Sequence, residues 1–348
     1  VDAFLRLQFD VMDTVRRAQG EALAAFGAGP DERPYRVVAS GPFWSLRDYG
    51  GQKRSPSLLV VAAPIKRPYI WDLSPAASAI GCCLQHDLHV HLLEWLPASP
   101  ATSSCGFDEC ASAIAECIAR ISADAGGPKP FLIGHSLGGT LAAIYGALAP
   151  KTIRGLVLLG TPLCFQQGES RFRDALVSLA PAELSDAAPF PGSLLSHISA
   201  LASPETFIWS RLTDAALSAN DARAMDVHKR VERWALDEAP LPGRLVRQII
   251  QWLYRENRLC RGTLEVGQTL VGPSTVSAPT LVVANIADDV APLASVKPFV
   301  AAMPTKDVRI IEYKGEPGVC LQHLGVLVGR QAHARIWPKI ISWLHCHN

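Results

Sequence analysis

The sequence has almost no excess charge of either sign: thirty-three Lys and Arg face thirty-two Asp and Glu, leaving +1 at neutral pH. No segment gathers the positive charge that a phosphate backbone demands, so nucleic acid is not an expected partner. Charged residues are scarce, 19% against an average of about 25%, while hydrophobic ones reach 49%; disorder, collagen and a charged coiled coil are excluded. Cysteines number nine, an odd count, at positions 82, 83, 105, 110, 117, 164, 260, 320 and 346, without paired metal-ligand spacing. This argues against a secreted disulfide framework and for a reducing compartment, read as the cytoplasm. The opening residues lack a basic leader followed by an apolar stretch, and the chain opens on Val1 rather than Met, as a processed or trimmed terminus would. The longest uncharged run, 130–150, is long enough to span a bilayer, but Gly134, His135, Ser136, Gly138 and Gly139 near its start read as strand, turn and helix. No transmembrane segment is expected.

A length of 348 residues fits two units, or one large α/β domain with an insertion. Apolar runs rich in β-branched residues recur at 36–39, 57–63, 88–95, 131–134, 155–160, 280–285 and 308–313, and read as strands. Helical spacing occupies 73–84, 107–123, 137–149 and 296–302, with a closing helix over 331–344. Continuous apolar strands such as LLVVAA and LVLLG suit a mostly parallel sheet covered by helices on both faces. Residues 4–26 read as an amphipathic helix outside that sheet. Between 165 and 276 the alternation stops, leaving helical patterns, Trp residues and Pro/Gly breaks but no convincing strand. This insertion is expected to fold as a helical cap over the carboxyl ends of the strands, where open α/β sheets bind ligands. The expected organisation is an N-terminal helical segment (1–30), a core in two parts (31–164 and 277–348) and the cap (165–276).

Residues 131–145 read FLIGHSLGGTLAAIY, a strand, the turn Gly134-His135-Ser136-Leu137-Gly138, and a helix. This is a nucleophile elbow, whose tight turn requires small residues two before and two after the nucleophile. Ser136 is lifted above the sheet edge, and the Leu137 N–H and the helix dipole point where charge would develop on an attacked carbonyl oxygen. A serine needs a base and a residue that orients the base, in the chain order Ser, acid, His. Asp288, on the loop after the strand LVVAN and four residues before Pro292, is the expected acid. Its neighbour Asp289 reads as a solvated cap for the helix near Ser295. His323, after the last strand and before the closing helix, is the expected base.

The second oxyanion donor belongs in the loop after LLVVAA; Pro64 has no N–H, so Ile65 is the first candidate and Lys66 the next. His86, His89 and His91 form HDLHVH, and the latter two share a strand face. A sheet strand without an open coordination edge suits packed or hydrogen-bonded histidines better than ligands, so no metal and no cofactor are expected. His135 sits inside the elbow with its ring turned from the nucleophile.

Further segments, in this order, carry a family resemblance: AAPIKRPYIWDLSP at 62–75, LPGRLVRQIIQWLYRENRLCRGTLEVGQ at 241–268, ADDVAP at 287–292, QHLGVLVGRQA at 322–332 and WPKIISWL at 337–344. From about Tyr35 to Leu344 the chain resembles the polyhydroxyalkanoate synthases among the α/β-hydrolases, especially the short two-component type, and their hydrolase relatives. The cap segment WALDEAPLP is similar too, with Ala235 where the family usually has Asn. The resemblance implies an α/β-hydrolase fold with a helical cap, short acyl esters or hydroxyalkanoate oligomers as substrate, and self-association as a homodimer.

One departure has chemical content, because the synthases use Cys where this chain has Ser136. A thioester lacks much of the resonance of an oxyester, so a Cys-bound acyl group passes downhill to a polymer hydroxyl. Transfer from Ser to another alcohol is nearly balanced, whereas water removes the acyl group irreversibly. The expected activity is therefore that of a serine carboxylic-ester hydrolase, with Trp209, Trp234 and Trp252 of the cap as candidate pocket walls. The alternatives are a synthase-like acyltransferase using hydroxyacyl-CoA, and a catalytically idle member that binds granules or partner subunits through its opening helix.

Overall fold

The computed structural model describes residues 3–348 except 53–54, 125, 127, 182–183 and 187. An eight-stranded sheet is formed by β1 (Arg36–Ser40), β2 (Trp44–Asp48), β3 (Ser57–Val61), β4 (His89–Trp95), β5 (Phe131–His135), β6 (Leu156–Leu159), β7 (Thr280–Asn285) and β8 (Val308–Tyr313), in the spatial order 1-2-4-3-5-6-7-8. Strand β2 runs antiparallel to β1 and β4, and all other pairings are parallel. The mostly parallel sheet flanked by helices is thus as expected. β3, β5, β6 and β7 are buried along their whole length, which is why they consist of continuous apolar runs rather than an alternation.

Helix α1 (Ala3–Leu23) lies outside the sheet. It is fastened to the insertion: Arg16 bonds both oxygens of Glu238, at 2.7 and 3.0 Å, and Asp13 accepts from the Ser193 N–H. Helices α2 (Ala79–Gln85), α3 (Phe107–Asp124) and α4 (Leu137–Leu148) follow β3, β4 and β5. One face of the sheet packs on α3 and α4 through Ile114, Leu141 and Leu158, and the other on α2 and the closing helices through Ile80, Ile133 and Trp337.

After β6 come α5 (Arg171–Leu179), α6 (Gly192–Ala202), α7 (Ser210–Ser218), α8 (Ala222–Ala235), α9 (Gly243–Gln248) and α10 (Arg258–Arg261). Phe172, Leu176, Phe190, Leu241, Val246 and Ile250 give this helical insertion a core of its own. Helix α11 (Lys297–Ala301) links β7 to β8, and α12 (Gly325–Val328), α13 (Arg330–Arg335) and α14 (Trp337–Cys346) close the chain. Among the described residues, no helix is long and apolar enough to cross a membrane.

Four expectations need correction. Strand β2 is an addition to the expected strands, missing from the apolar runs because its five buried residues, WSLRD, include two charges. Their partners come from elsewhere: Arg47 pairs with Glu94 and Glu32, and Asp48 with Arg36 and His89. The insertion is not strandless, since Leu264–Val266 pairs antiparallel with Thr269–Val271, a hairpin whose Leu264, Val266 and Val271 join the main core. The expected single closing helix is interrupted at Ile336, just before Pro338. Finally, not all thiols are free: Cys164, just past β6, and Cys260 on α10 form a disulfide across 96 residues. A pairing of that separation leaves no local spacing signal in the sequence.

Candidate active site

Ser136 sits between β5 and α4 with φ 55° and ψ −133°, a left-handed backbone that is unfavourable for a residue with a Cβ. Tight packing holds it there. A Cβ on Gly134 would come within 2.6 Å of the Gly138 backbone, and one on Gly138 within 2.3 Å of the Val61 carbonyl oxygen. Both glycines are needed for α4 to close against the ends of β5 and β3. Leu137 is the first residue of α4, so its N–H is one of the helix's unbonded amino-terminal donors.

Asp288 and His323 meet as the sequence predicted, with His323 Nδ1 2.7 Å from Asp288 Oδ2. The other carboxylate oxygen accepts from the N–H groups of Val290, at 2.9 Å, and Ala291, at 3.1 Å. Burial works against the charge on Asp288, but His323 and these two N–H groups outweigh it and hold the carboxyl below its ordinary range. The acid is therefore ionised at neutral pH and fixes the His323 hydrogen on Nδ1. Nε2, the other ring nitrogen, is buried without a hydrogen-bond partner, so it makes no bond to Ser136 in this structure. Asp289 does not cap a helix as expected; it accepts a hydrogen bond from Thr206 in the insertion, at 3.3 Å, and is exposed.

Ser136 and His323 line the same cavity of about 440 Å³, enclosed between the sheet ends and the insertion. Ile65 and Leu137 are also in its wall, and the Ile65 carbonyl receives the Ala239 N–H, which ties this loop to the insertion. Lys66, the second choice for the oxyanion donor, points its ammonium at the Ala235 carbonyl, 2.5 Å away, and at Glu238. Of the three tryptophans, Trp234 lines the cavity and anchors its ring by donating Nε1–H to the Arg67 carbonyl at 2.8 Å. The other two do not. Trp209 is 63% exposed on the outer surface, and Trp252 packs beside Phe107 and Arg258. The apolar wall instead comes from Phe165, Phe172, Phe207, Ile249, Ile250 and Tyr254.

Two supports of His323 escaped the sequence reading. His135 donates from Nε2 to the His323 carbonyl at 2.8 Å, and its ring lies 4.6 Å from the His323 ring. Burial, reinforced by neighbouring His323, pulls its pKa down to about 3, so it is a neutral, fixed donor. Asp214 on α7 accepts from the Gly318 N–H at 2.6 Å and the Cys320 N–H at 2.7 Å, and from His228 on α8. The insertion thereby grips the loop that carries His323. No spacing signal exists for Asp214, which is 104 residues from Gly318.

Two groups of side chains among the described residues have the composition of a metal site, Asp48 with His89 and His91, and His228 with Glu232 and Cys320. In the second, the Arg211 guanidinium already pairs with Glu232 and burial pushes the Cys320 thiol well up, so both are poor ligands. Neither group includes Ser136, Asp288 or His323.

The family described as alpha/beta hydrolase fold matches residues 83–313. The chain is similar to the poly(3-hydroxyalkanoate) polymerase subunit PhaC of Haloferax mediterranei, 26% identical over 291 residues, covering 82% of this chain and 58% of that protein. The same-named subunit of Haloarcula marismortui is 25% identical, with 84% and 61% covered, and that of Allochromatium vinosum 24% identical, with 83% and 80% covered. The chain thus spans about three fifths of the two haloarchaeal relatives. Among solved structures it resembles the monoacylglycerol lipase of Paleococcus ferrophilus, with a TM-score of 0.55, 15% identity and coverage of 88% of this chain and 99% of that one. A soluble variant of the Saccharomyces cerevisiae monoglyceride lipase gives a TM-score of 0.56 at 11% identity, covering 91% and 96%. At these identities the structural likeness is one of fold.

Proposed function

The chain belongs to the alpha/beta hydrolase fold family, and from that premise we propose that it is a serine carboxylic-ester hydrolase working through an acyl-enzyme on Ser136. His323 Nε2 takes the Ser136 proton as the hydroxyl attacks the ester carbonyl, and Asp288 stabilises the imidazolium that forms. The N–H groups of Leu137 and Ile65 receive the developing oxyanion, worth about 3–4 kcal/mol per donor in enzymes of this type. His323 then protonates the departing alcohol, and water repeats the sequence to release the acid. The apolar cavity and the similarity to poly(3-hydroxyalkanoate) polymerase subunits favour short acyl esters or hydroxyalkanoate oligomers as substrate.

The observation that carries this reading is the Asp288–His323 pair, whose imidazole lines the same cavity as a serine held at positive φ. A second reading, acyl transfer from hydroxyacyl-CoA to a growing polyester, draws on the polymerase relatives. One experiment separates them: the protein is incubated with nitrophenyl butyrate and, separately, with hydroxybutyryl-CoA. Free butyrate with little polymer supports the hydrolase; CoA release with polymer and little ester cleavage supports the transferase.

A further inference from the structure

Strand β2 changes the meaning of HDLHVH. Because it pairs antiparallel with β4, Asp48 comes directly opposite His91, and His89 lies two residues away on the same face. A carboxylate and two imidazoles, contributed by adjacent strands, then share one pocket at the amino end of β4. Ser136 lies beyond the carboxyl end of β5, which is parallel to β4 through β3, so this pocket is at the opposite end of the sheet. The lack of a coordination edge, the reason for discounting these histidines in the sequence, does not hold once the neighbouring strand is present.

The atoms are close to a ligand set. Asp48 Oδ1 is 2.8 Å from His89 Nε2 and 3.9 Å from His91 Nε2, and the three donors lie within 4.8 Å of one another. Two ligands of a tetrahedral zinc ion at ~2.1 Å stand roughly 3.4 Å apart, between those two distances. The rings of His89 and His91 are stacked 4.5 Å apart, facing the same way. His91 is buried, its Nδ1 has no hydrogen-bond partner, and its Nε2 stops beyond hydrogen-bond range of the carboxylate. An ion beside Asp48 would give His91 Nε2 the partner that the carboxylate, at 3.9 Å, does not, while Nδ1 would keep none. The carboxylate is already oriented, by the Gly50 N–H on Oδ1 and by Arg36, an exposed side chain, on Oδ2.

We propose that Asp48, His89 and His91 bind a divalent transition-metal ion of the zinc class, with a fourth position open to water. Two imidazoles and one carboxylate are a zinc donor set, and the His89 side chain, 26% exposed, leaves a path for entry. The ion joins β2 to β4 and holds the turn at 49–51. It takes no part in the chemistry at Ser136.

The test uses the full chain, purified without an affinity tag, stripped with EDTA, incubated with zinc chloride and desalted, with retained zinc measured by atomic emission. The wild type is expected to keep about one zinc per chain and to unfold at higher temperature with zinc than with EDTA. His89→Ala and Asp48→Asn are expected to fall to background and lose the thermal shift, while His228→Ala keeps both. Because His89 is only partly buried, His89→Ala should fold, which circular dichroism verifies. No retained zinc in the wild type, or undiminished retention in folded His89→Ala, overturns the proposal.

Discussion

His135 and His323, 188 residues apart, are joined by a 2.8 Å hydrogen bond from a ring N–H to a backbone carbonyl. The residue next to the proposed nucleophile thus fixes the backbone of the proposed base. Replacing His135 by Phe keeps a ring against His323 but leaves a buried carbonyl unpaired, at a cost of about 1–3 kcal/mol. The expected result is a fall of roughly 10- to 100-fold in kcat with KM little changed, measured by steady-state ester hydrolysis.

Asp288 and Asp289 should separate cleanly. Asp288→Asn removes the anion that sets the His323 tautomer and is expected to lower kcat by about 10⁴-fold. Asp289→Ala loses only the Thr206 bond and is expected to stay within about threefold of the wild type. Equal losses in both variants would contradict the assignment of the acid.

The fold was legible where burial is simple. β3, β5, β6 and β7 are buried on both faces, so their apolar runs announce them, and the elbow's glycines are dictated by contacts of 2.3–2.6 Å. Asp288 and His323 stood out because their loops follow recognisable strands, and the structure brings the two side chains together. β2 did not stand out, since Arg47 and Asp48 are buried by partners that no local pattern reveals. The same lack of long-range information hid Asp214, the disulfide and the faces of Trp209 and Trp252. An aromatic residue in a helical segment does not disclose which way its helix is turned.

Glu238 gives the pH dependence of the cap's attachment. Burial raises its pKa, but Lys66 and Arg16 prevail and bring it from 4.5 down to about 2. A carboxyl held below its unfolded value favours the folded state only while ionised. Its contribution is complete above about pH 4.5, worth roughly 3 kcal/mol, and drains away as pH falls toward 2. Glu238→Gln leaves Lys66 and Arg16 without their counter-charge and should cost about 3–5 kcal/mol at neutral pH, with the gap closing in acid. Urea unfolding of both proteins from pH 7 to pH 2.5 measures it.

The Cys164–Cys260 bond closes a loop of 96 residues that contains most of the insertion. Reduction, or Cys260→Ser, is expected to lower stability by about 2–5 kcal/mol. Unfolding midpoints of the wild type that do not move with reductant would show that this bond carries no stability.

Every proposed step depends on Ser136 being an activated nucleophile. Incubation with a serine-directed fluorophosphonate, followed by peptide mass spectrometry, tests it most directly. The predicted result is a single adduct on Ser136, formed in step with loss of ester hydrolysis and slowed by several orders of magnitude in His323→Ala. A folded protein whose Ser136 stays unlabelled, or is labelled as fast without His323, would contradict the account.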